Sequence, residues 1–248
     1  HSNRLIPMTT FWVRLQRDVI TVHGADARTY LHSQLSQDIA SMRVDETRQS
    51  LLLQPTGKIC GIVRVTCVDG ETFLLDCDSG TGEAVLVRLN RFKIRVKAEL
   101  SLGQETWTAV RNATAPVNGA IPAWNGDGSA WDIRGELSDT SIAQGTQDDF
   151  ETARIRSSWP VMNVDVTESS IPAETGLIDF AVNFTKGCYP GQELVERMDS
   201  RSAVAPRQLR YTTVEQGTLV GQEVRVEDRI GVVTSVYGCH ALALFRRA

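Results

Sequence analysis

Apolar and polar residues alternate along much of the chain in the pattern that predicts β-strands. The first such run, residues 10–22, is rich in β-branched and aromatic side chains, and we expect it to turn near Arg17 and Asp18. Later runs predict strands at residues 51–53, 58–68, 73–76, 209–213, 223–226, 230–236 and 241–245. The last four runs are short and separated by glycines, which is typical of a small antiparallel sheet or barrel.

Three other segments carry apolar residues at helical spacing. The first follows Asp26, a residue type that can cap a helix, and its apolar face comprises Ala27, Tyr30, Leu31 and Leu35. A second helix is expected after a cap at Asp78 or Ser79, and a third from Asp148 or Asp149. Strands and helices mix without regular alternation, which predicts an α+β fold.

Residues 91–97 alternate basic and apolar side chains. A period of two predicts a half-buried strand with a basic outer face. Two interpretations remain open for that face. It is either a solvated surface or a docking surface for an anionic ligand tail or an acidic partner.

Composition narrows the cellular setting. The formal net charge is −4, so tight non-specific binding of nucleic acid is not expected. The five cysteines are odd in number and form no C-x-x-C pair, which favours a reducing, cytoplasmic compartment. No apolar run is long enough to cross a membrane. The four histidines lack metal-ligand spacing, so no stably bound metal or iron–sulfur cluster is predicted. We expect residues 1–7 to be a cloning remnant, with Met8 as the natural start.

The most unusual segment is residues 186–193, Lys-Gly-Cys-Tyr-Pro-Gly-Gln-Glu, here called the thiol loop. Its glycines permit close approach of a ligand to the backbone. Pro190 suits the first position of a following helix. Cys188 would then lie just before a helix N-terminus with Lys186 nearby, and both features favour a thiolate. Tyr189 offers either a ring face to a flat ligand or simple packing.

The thiol loop resembles the K-G-C-Y-x-G-Q-E signature of the YgfZ group of folate-binding proteins, which is related to the glycine-cleavage T-protein, an aminomethyltransferase. The resemblance covers most of the chain. It extends to residues 22–27 with 30–31, to 52–58, 91–95, 171–174 and 231–235.

The resemblance implies a three-lobed fold around tetrahydrofolate. Residues 9–48 and 147–201 would form a discontinuous first lobe, 49–146 a second α+β lobe, and 202–248 a C-terminal antiparallel β-barrel. It also implies a functional thiol at Cys188, assisted by Lys186. The expected folate-binding residues are Tyr189, Gly191, Gln192, Glu193, Glu174, Arg197 and Arg156.

Two departures separate the chain from the T-protein. The stretch matching its catalytic aspartate, residues 57–62, contains no carboxylate, so aminomethyl transfer is not expected. Arg156 falls where the T-protein has a pterin-binding glutamate. A guanidinium only donates hydrogen bonds, so either the pterin is held differently, by Glu174 or a backbone group, or folate binding is weakened.

Three functions follow from these observations. The first is a folate-binding accessory protein that supports assembly or repair of iron–sulfur client enzymes, including tRNA-modifying ones. The second is a folate-dependent methyl or aminomethyl transferase or demethylase, which is the class expected if the chain is an enzyme. The third is a folate-free module that docks protein or RNA through residues 91–97 or the C-terminal barrel.

Overall fold

The structure, a computed structural model, describes residues 9–139, 141–200 and 205–247, without the side chain of Ser200. The expected cloning remnant therefore lies outside the described residues. The helices are α1 Ala27–Gln34, α2 Gly82–Arg91, α3 Gln147–Arg156, α4 Ile178–Ala181 and α5 Gln192–Ser200. The strands are β1 Phe11–His23, β2 Thr47–Leu53, β3 Ile59–Cys67, β4 Thr72–Asp78, β5 Glu99–Arg111, β6 Ile121–Pro122, β7 Trp131–Arg134, β8 Ala143–Gln144, β9 Arg207–Thr213, β10 Glu223–Val226, β11 Arg229–Tyr237 and β12 His240–Arg246.

The first eight strands form one sheet in the order β2-β3-β4-β1-β5-β7-β6, with β8 pairing with β1. β1 pairs antiparallel with β5 over its whole length and with β4 over its second half. The turn expected near Arg17 and Asp18 is therefore wrong. Both polar side chains are satisfied inside a continuous strand, because Arg17 bonds Asp76 and Asp18 accepts backbone N–H groups at 2.8 and 2.9 Å.

The sheet buries apolar side chains on both faces. α1 and α2 cover one face, on which Leu52 packs with Tyr30, Leu31 and Val85. The neighbouring residues Leu51 and Leu53 point to the opposite face, as the pleat of a strand requires. There they join a core that includes Trp124, Trp159, Tyr189 and Val195.

Residues 91–97 are not a strand. α2 continues through Arg91, because its buried positions Val85, Arg88 and Leu89 follow helical spacing. The chain then makes an irregular loop in which Arg95 has a φ of 56°, and the half-buried Phe92 packs its ring 4.0 Å from the Arg88 guanidinium. The period-two pattern thus coincides with a helix end and a loop.

The predicted helices exist, but their caps differ. The side chain of Asp26 makes no cap and accepts a hydrogen bond from the Lys97 N–H at 2.8 Å. Asp78 pairs with Arg17, and it is Asp18, from β1, that accepts the N–H groups of Gly80 and Gly82 at the start of α2. α3 begins earlier than expected, with a capping box made by Thr146 and Asp149.

The last four strands form a second, antiparallel sheet in the order β10-β11-β12-β9. Its small core contains Val233, Ala241, Ala243 and Phe245. Arg154 of α3 joins this sheet to the rest of the chain, since it donates to Ser235 on β11. The described residues confirm a mixed helix-and-sheet fold, whereas the three lobes and their boundaries, and closure of this sheet into a barrel, remain predictions.

Candidate functional site

The first anchor of the thiol loop is Lys186. Its ammonium donates hydrogen bonds to the backbone oxygens of His32 and of Leu35, the latter at 2.6 Å. These carbonyls lie at the C-terminal end of α1, where a positive charge is favoured. Burial, opposed by Asp38 and Cys188, lowers the pKa of Lys186 to about 8. The lysine therefore ties the loop to the first helix rather than projecting into solvent.

The second anchor is Tyr189, which is only 7% exposed and belongs to the core that also contains Trp124 and Trp159. Its ring lies 4.9 Å from the Lys186 ammonium, a distance at which a cation and a ring attract each other. Burial, with a further contribution from Glu196, raises the pKa of Tyr189 to about 12. Tyr189 therefore packs. Its ring is not an open face for a ligand.

The third anchor is Gly191, which has a φ of 86°. A Cβ at this position would lie 2.7 Å from the Gln54 oxygen and 2.9 Å from the Gly57 Cα. Gly57, in turn, leaves room for Leu194, whose side chain would lie 2.6 Å from a Cβ there. The glycines thus allow the thiol loop to pack directly on the turn between β2 and β3.

Cys188 lies between these anchors and is exposed. The following helix, α5, begins at Gln192 rather than at Pro190. The Gln192 side chain accepts a hydrogen bond from the Tyr189 N–H at 3.2 Å and donates one to Glu196. The thiol is consequently carried by a backbone that is fixed on both sides, while its own side chain faces outward.

His32 faces the same loop. Its Nδ1 accepts hydrogen bonds from the N–H groups of Ile39 and Ala40, each at 3.2 Å, which assigns the proton of the neutral ring to Nε2. Burial and the Lys186 charge, opposed by Asp38, lower the pKa of His32. The Nε2 atom is the nearest group to Gly187, 3.9 Å from where a Cβ would lie. No local sequence signal links this histidine to a loop 154 residues away, so it was not among the predicted site residues.

The remaining predicted ligand residues do not converge on one site. Glu193 and Arg197 are exposed on α5. Glu174 is buried, and its carboxylate accepts hydrogen bonds from Arg207 at 2.9 and 3.2 Å. Arg156 is exposed at the end of α3. Burial lowers the pKa of His240, and the charge of Arg156 lowers it further. Neither Glu174 nor Arg156 provides a free carboxylate for a pterin.

A buried ionic cluster that the sequence analysis did not identify lies on the opposite side of β3 from α2. Arg64 donates to Asp76 at 2.9 Å and to Asp132 at 2.8 Å. Arg17 shares Asp76, and Arg111 lies 2.9 Å from Asp132. Burial alone would raise the pKa of Asp132, but the charges of Arg111 and Arg64 outweigh it and hold that pKa at about 2. Charged residues such as Arg64 and Asp76 within otherwise apolar strand runs are the sequence signal that could have revealed this cluster.

Beside this cluster is a cavity of about 50 Å³. The Arg111 side chain at its wall is 1% exposed, and its Nε has no hydrogen-bond partner among the described residues. The guanidinium lies 4.1 Å from the Trp124 ring and 5.1 Å from the Phe150 ring. The cavity thus combines aromatic walls with one free, buried N–H donor. Its other lining residues are Leu15, Arg17, Gln49, Ile62, Arg64, Asp78, Asp132, Arg154, Trp159 and Val161.

The stretch that the T-protein resemblance equates with a catalytic aspartate runs along the start of β3. Lys58 is exposed, Ile59 is buried in the core, and Cys60 donates from its thiol to the Ala84 oxygen at 3.7 Å. Burial raises the pKa of Cys60. Residues 57–62 therefore contain no carboxylate where the resemblance places the catalytic aspartate.

Metal-binding clusters and membrane-spanning helices are both absent from the described residues. These residues contain no cluster of three or more His, Cys, Asp or Glu side chains arranged to hold a metal ion. Their helices also include none with the length and apolarity needed to cross a membrane.

The chain is similar in sequence to several known proteins, although no protein-family model matches it. An uncharacterised protein of Haemophilus influenzae is 26% identical over 238 residues, which cover 92% of this chain and 84% of that protein. An iron–sulfur cluster assembly factor IBA57 homologue of Pyricularia oryzae is 27% identical, covering 88% of this chain and 64% of the relative. The tRNA-modifying protein YgfZ of Vibrio atlanticus is 22% identical, with 84% and 71% covered.

The fold has a close structural counterpart. The crystal structure of the glycine-cleavage aminomethyltransferase T of Bartonella henselae superimposes with a TM-score of 0.78, covering 96% of this chain and 79% of that protein. Sequence identity over the match is 16%. The two proteins therefore share a fold, and at this identity the likeness extends to the fold alone.

Proposed function

We propose that this chain, a member of the superfamily that contains YgfZ and the glycine-cleavage T-protein, is a tetrahydrofolate-binding accessory protein that supports assembly or repair of iron–sulfur enzymes. Cys188 is its functional thiol. The observation that carries the proposal is the way the thiol loop is held. Contacts of Lys186, Tyr189 and Gly191 fix its backbone, and the cysteine between them is exposed.

A fixed loop with an exposed cysteine side chain suits a thiol that acts on another molecule. A cysteine that only fills space is normally buried among apolar groups, as Cys67 and Cys77 are here. Cys188 instead is exposed and lies two residues from Lys186 in the thiol loop. A thiolate attacks electrophiles and binds metals. The thiol is thus accessible to another molecule.

The names of the relatives agree with this use. One is an iron–sulfur cluster assembly factor and another is a tRNA-modifying protein. An accessory role towards iron–sulfur enzymes, including tRNA-modifying ones, accounts for both names with one activity.

The central cavity supports folate as the ligand. Trp124, Phe150 and Trp159 give the cavity an apolar aromatic lining, and the unpartnered Arg111 Nε suits an oxygen or nitrogen acceptor on a flat ring. Bound tetrahydrofolate would supply a carrier for one-carbon units. A cavity of about 50 Å³ holds only a few waters. A pterin therefore enters only when partly exposed side chains at the cavity mouth, such as Phe150, move outward.

The thiol is tested by complementation. Cells that lack their own YgfZ protein are given the wild-type chain, Cys188→Ala or Cys239→Ala, and the activities of iron–sulfur enzymes are measured in extracts. Cys239 is the matched control because it is also an exposed free cysteine. We expect rescue by the wild type and by Cys239→Ala and little rescue by Cys188→Ala. Full rescue by Cys188→Ala would exclude the thiol role.

Folate binding is tested by calorimetry with tetrahydrofolate. We expect micromolar or tighter binding, which corresponds to about 8 kcal/mol, and weaker binding by Phe150→Leu, which removes ring area at the cavity mouth. Leu219→Ala, an exposed change on the C-terminal region, should bind like the wild type. Absence of binding would contradict the ligand assignment. Turnover of a one-carbon folate with a methyl or aminomethyl donor would instead favour the transferase alternative.

A further inference from the structure

We propose that one exposed surface, formed by Val87, Arg91, Ile94, Arg95 and Lys97 and called here the basic-apolar patch, binds an acidic protein segment that carries an apolar side chain. The inference rests on the proposed function in one respect: the bound segment would belong to a client that Cys188 serves. The patch itself is defined by exposure, charge and position, none of which depends on that function.

The patch exposes apolar side chains that have no packing role. Ile94 is 76% exposed and Val87 is 58% exposed. Val87 and Arg91 are four residues apart on α2 and therefore share a helix face, and Ile94 follows in the loop. Isolated apolar residues are common on protein surfaces, so what distinguishes Val87 and Ile94 is the set of exposed cations that accompanies them within residues 87–97.

The loop that carries Ile94 is held in shape. The Lys93 ammonium donates to the Ala98 oxygen, and the Asp26 carboxylate accepts the Lys97 N–H at 2.8 Å. Gly24 packs against the same segment, since a Cβ on it would lie 2.3 Å from the Lys97 oxygen. A partner therefore meets a preformed surface and does not have to order the loop on binding.

The patch is locally positive in a chain whose net charge is −4. Arg91, Arg95 and Lys97 are exposed. Across the residues that the structure describes, no ion pair joins any of these three to a carboxylate. Three acidic residues border the patch: Glu83 and Glu99 flank it in sequence, and the Asp26 carboxylate accepts the Lys97 N–H. The cations are thus available to a negatively charged partner.

The side chains favour protein over RNA as that partner. Single-stranded RNA is recognised largely by stacking of bases on exposed aromatic rings. The patch offers isoleucine and valine, and the nearest ring, Phe92, is half-buried against Arg88. An apolar anchor surrounded by charges is the arrangement found in protein interfaces.

The patch and the thiol loop lie at opposite ends of α1. Lys97 bonds Asp26, immediately before the helix, whereas Lys186 bonds His32 and Leu35 at its end. The helix has eight residues, which corresponds to a length of about 12 Å. The segments that carry the patch and Cys188 are therefore attached to the two ends of one short helix, and a spacer joining a docked segment to Cys188 has to span at least that length.

The chain contains a matched control surface. Arg225 and Arg229 on β10 and β11 also accompany exposed apolar residues, Val226 and Ile230. There, however, the acidic residues Glu227 and Asp228 lie between the two arginines in sequence. This second surface has similar side chains without the surplus of positive charge, so it should not bind an acidic segment.

Binding is tested by fluorescence anisotropy with the full chain and labelled synthetic peptides. We expect (Glu-Glu-Leu)₄ to bind at least about tenfold more tightly than (Glu-Glu-Gly)₄ or (Lys-Lys-Leu)₄, a difference of about 1.4 kcal/mol. Ile94→Ser and the double change Arg91→Glu with Arg95→Glu should each remove at least that advantage. Arg225→Glu with Arg229→Glu should retain it. Equal binding by patch and control variants, or preferential binding of a single-stranded RNA oligonucleotide, would overturn the proposal.

The relation to the thiol is tested in a Cys239→Ser background. The (Glu-Glu-Leu)₄ peptide is extended by a six-residue Gly-Ser spacer and a cysteine activated as a 2-thiopyridyl disulfide. The Cys188 thiolate attacks the peptide sulfur, a new disulfide forms, and pyridine-2-thione leaves. We expect pyridine-2-thione to be released faster with this peptide than with (Glu-Glu-Gly)₄ carrying the same tail. The change Ile94→Ser should abolish this difference in rate. No difference in the parent protein would contradict the proposed delivery of a docked segment to Cys188.

These outcomes separate the two proposals. Peptide binding requires neither Cys188 nor folate, so it can succeed even if Cys188→Ala rescues iron–sulfur enzymes fully. Conversely, a functional thiol with no binding of the acidic peptide leaves the proposed function standing and eliminates the patch as a docking surface.

Discussion

The Lys186 ammonium donates a hydrogen bond to the backbone oxygen of Leu35 at 2.6 Å, across 151 residues of sequence. The contact links the thiol loop to the C-terminal end of α1. It satisfies a helix carbonyl with a cation and holds the backbone that leads to Cys188 at the end of the first helix. The position of the thiol is therefore set by tertiary contact as well as by the loop sequence.

The partly buried lysine predicts a pH dependence of stability. The pKa of Lys186 is lowered to about 8 from an ordinary value of 10.5. Between those values the unfolded chain binds more protons than the folded one, so stability rises with pH across this range. We expect the free energy of unfolding of the wild type, relative to Lys186→Met, to increase from pH 8 to pH 10. Urea denaturation of both proteins measures it, and a constant or falling difference would contradict the burial of the ammonium.

Replacement of the two glycines of the thiol loop by alanine should change stability by very different amounts. Gly191→Ala puts a Cβ 2.7 Å from the Gln54 oxygen at a φ of 86°, and we expect it to lower the free energy of unfolding by about 2 kcal/mol or more. At Gly187 the nearest atom is 3.9 Å away, so Gly187→Ala should change stability by less than about 0.5 kcal/mol. Comparable urea midpoints for the two variants would count against direct packing of the loop on the β2–β3 turn.

The buried ionic cluster predicts that one carboxylate, that of Asp132, makes a large contribution to the free energy of unfolding. Asp132→Asn leaves the buried Arg64 and Arg111 short of a counter-charge, and we expect it to cost about 3–5 kcal/mol. Glu105→Gln, which breaks the partly exposed pair with Arg134, should cost about 0–1 kcal/mol. Chemical denaturation at neutral pH distinguishes the two, and a similar loss for both would show that the cluster is solvated.

Acid titration examines the same carboxylate in the wild-type chain. Since the pKa of Asp132 is lowered to about 2 from 3.8, its contribution to stability is complete above pH 4. That contribution is lost as the pH falls from about 4 to 2. Asp132→Asn should lose less stability than the wild type over this interval, whereas Glu105→Gln should follow the wild type. Parallel acid curves for Asp132→Asn and the wild type would contradict the lowered pKa.

The cysteines predict a simple labelling pattern. Cys188 and Cys239 are exposed, whereas Cys67 and Cys77 are buried, and burial raises the pKa of Cys77 to about 12. Iodoacetamide reacts with accessible thiolates, so native protein should be alkylated at Cys188 and Cys239 well before the two buried positions. Peptide mass spectrometry after brief treatment measures this. Labelling of Cys77 as fast as Cys188 would show that the fold opens locally.

Much of the architecture could be predicted from the sequence because it depends on local patterns. The apolar runs that form β2 to β4 and β9 to β12 carry the strand period in their own sequence. The glycines between the last four runs mark the ends of those strands locally. Residues 91–97 show the limit of that reasoning. Their alternation is genuine, but α2 extends into it because Val85 and Leu89 pack on the sheet, and packing outweighs a short local pattern.

By itself, the sequence determined the mixed helix-and-sheet class, most of the strands, the thiol loop as the distinctive chemical feature, and the resemblance to the YgfZ group. These depend on residue types and spacings within a few positions of one another. Only the tertiary structure decided that Tyr189 packs, that Glu174 is occupied by Arg207, and that Arg64 and Arg111 share Asp132. Charges and carbonyls far apart in sequence meet only when the sheet has formed, and burial then determines which of them pair and which, like Cys188, stay exposed.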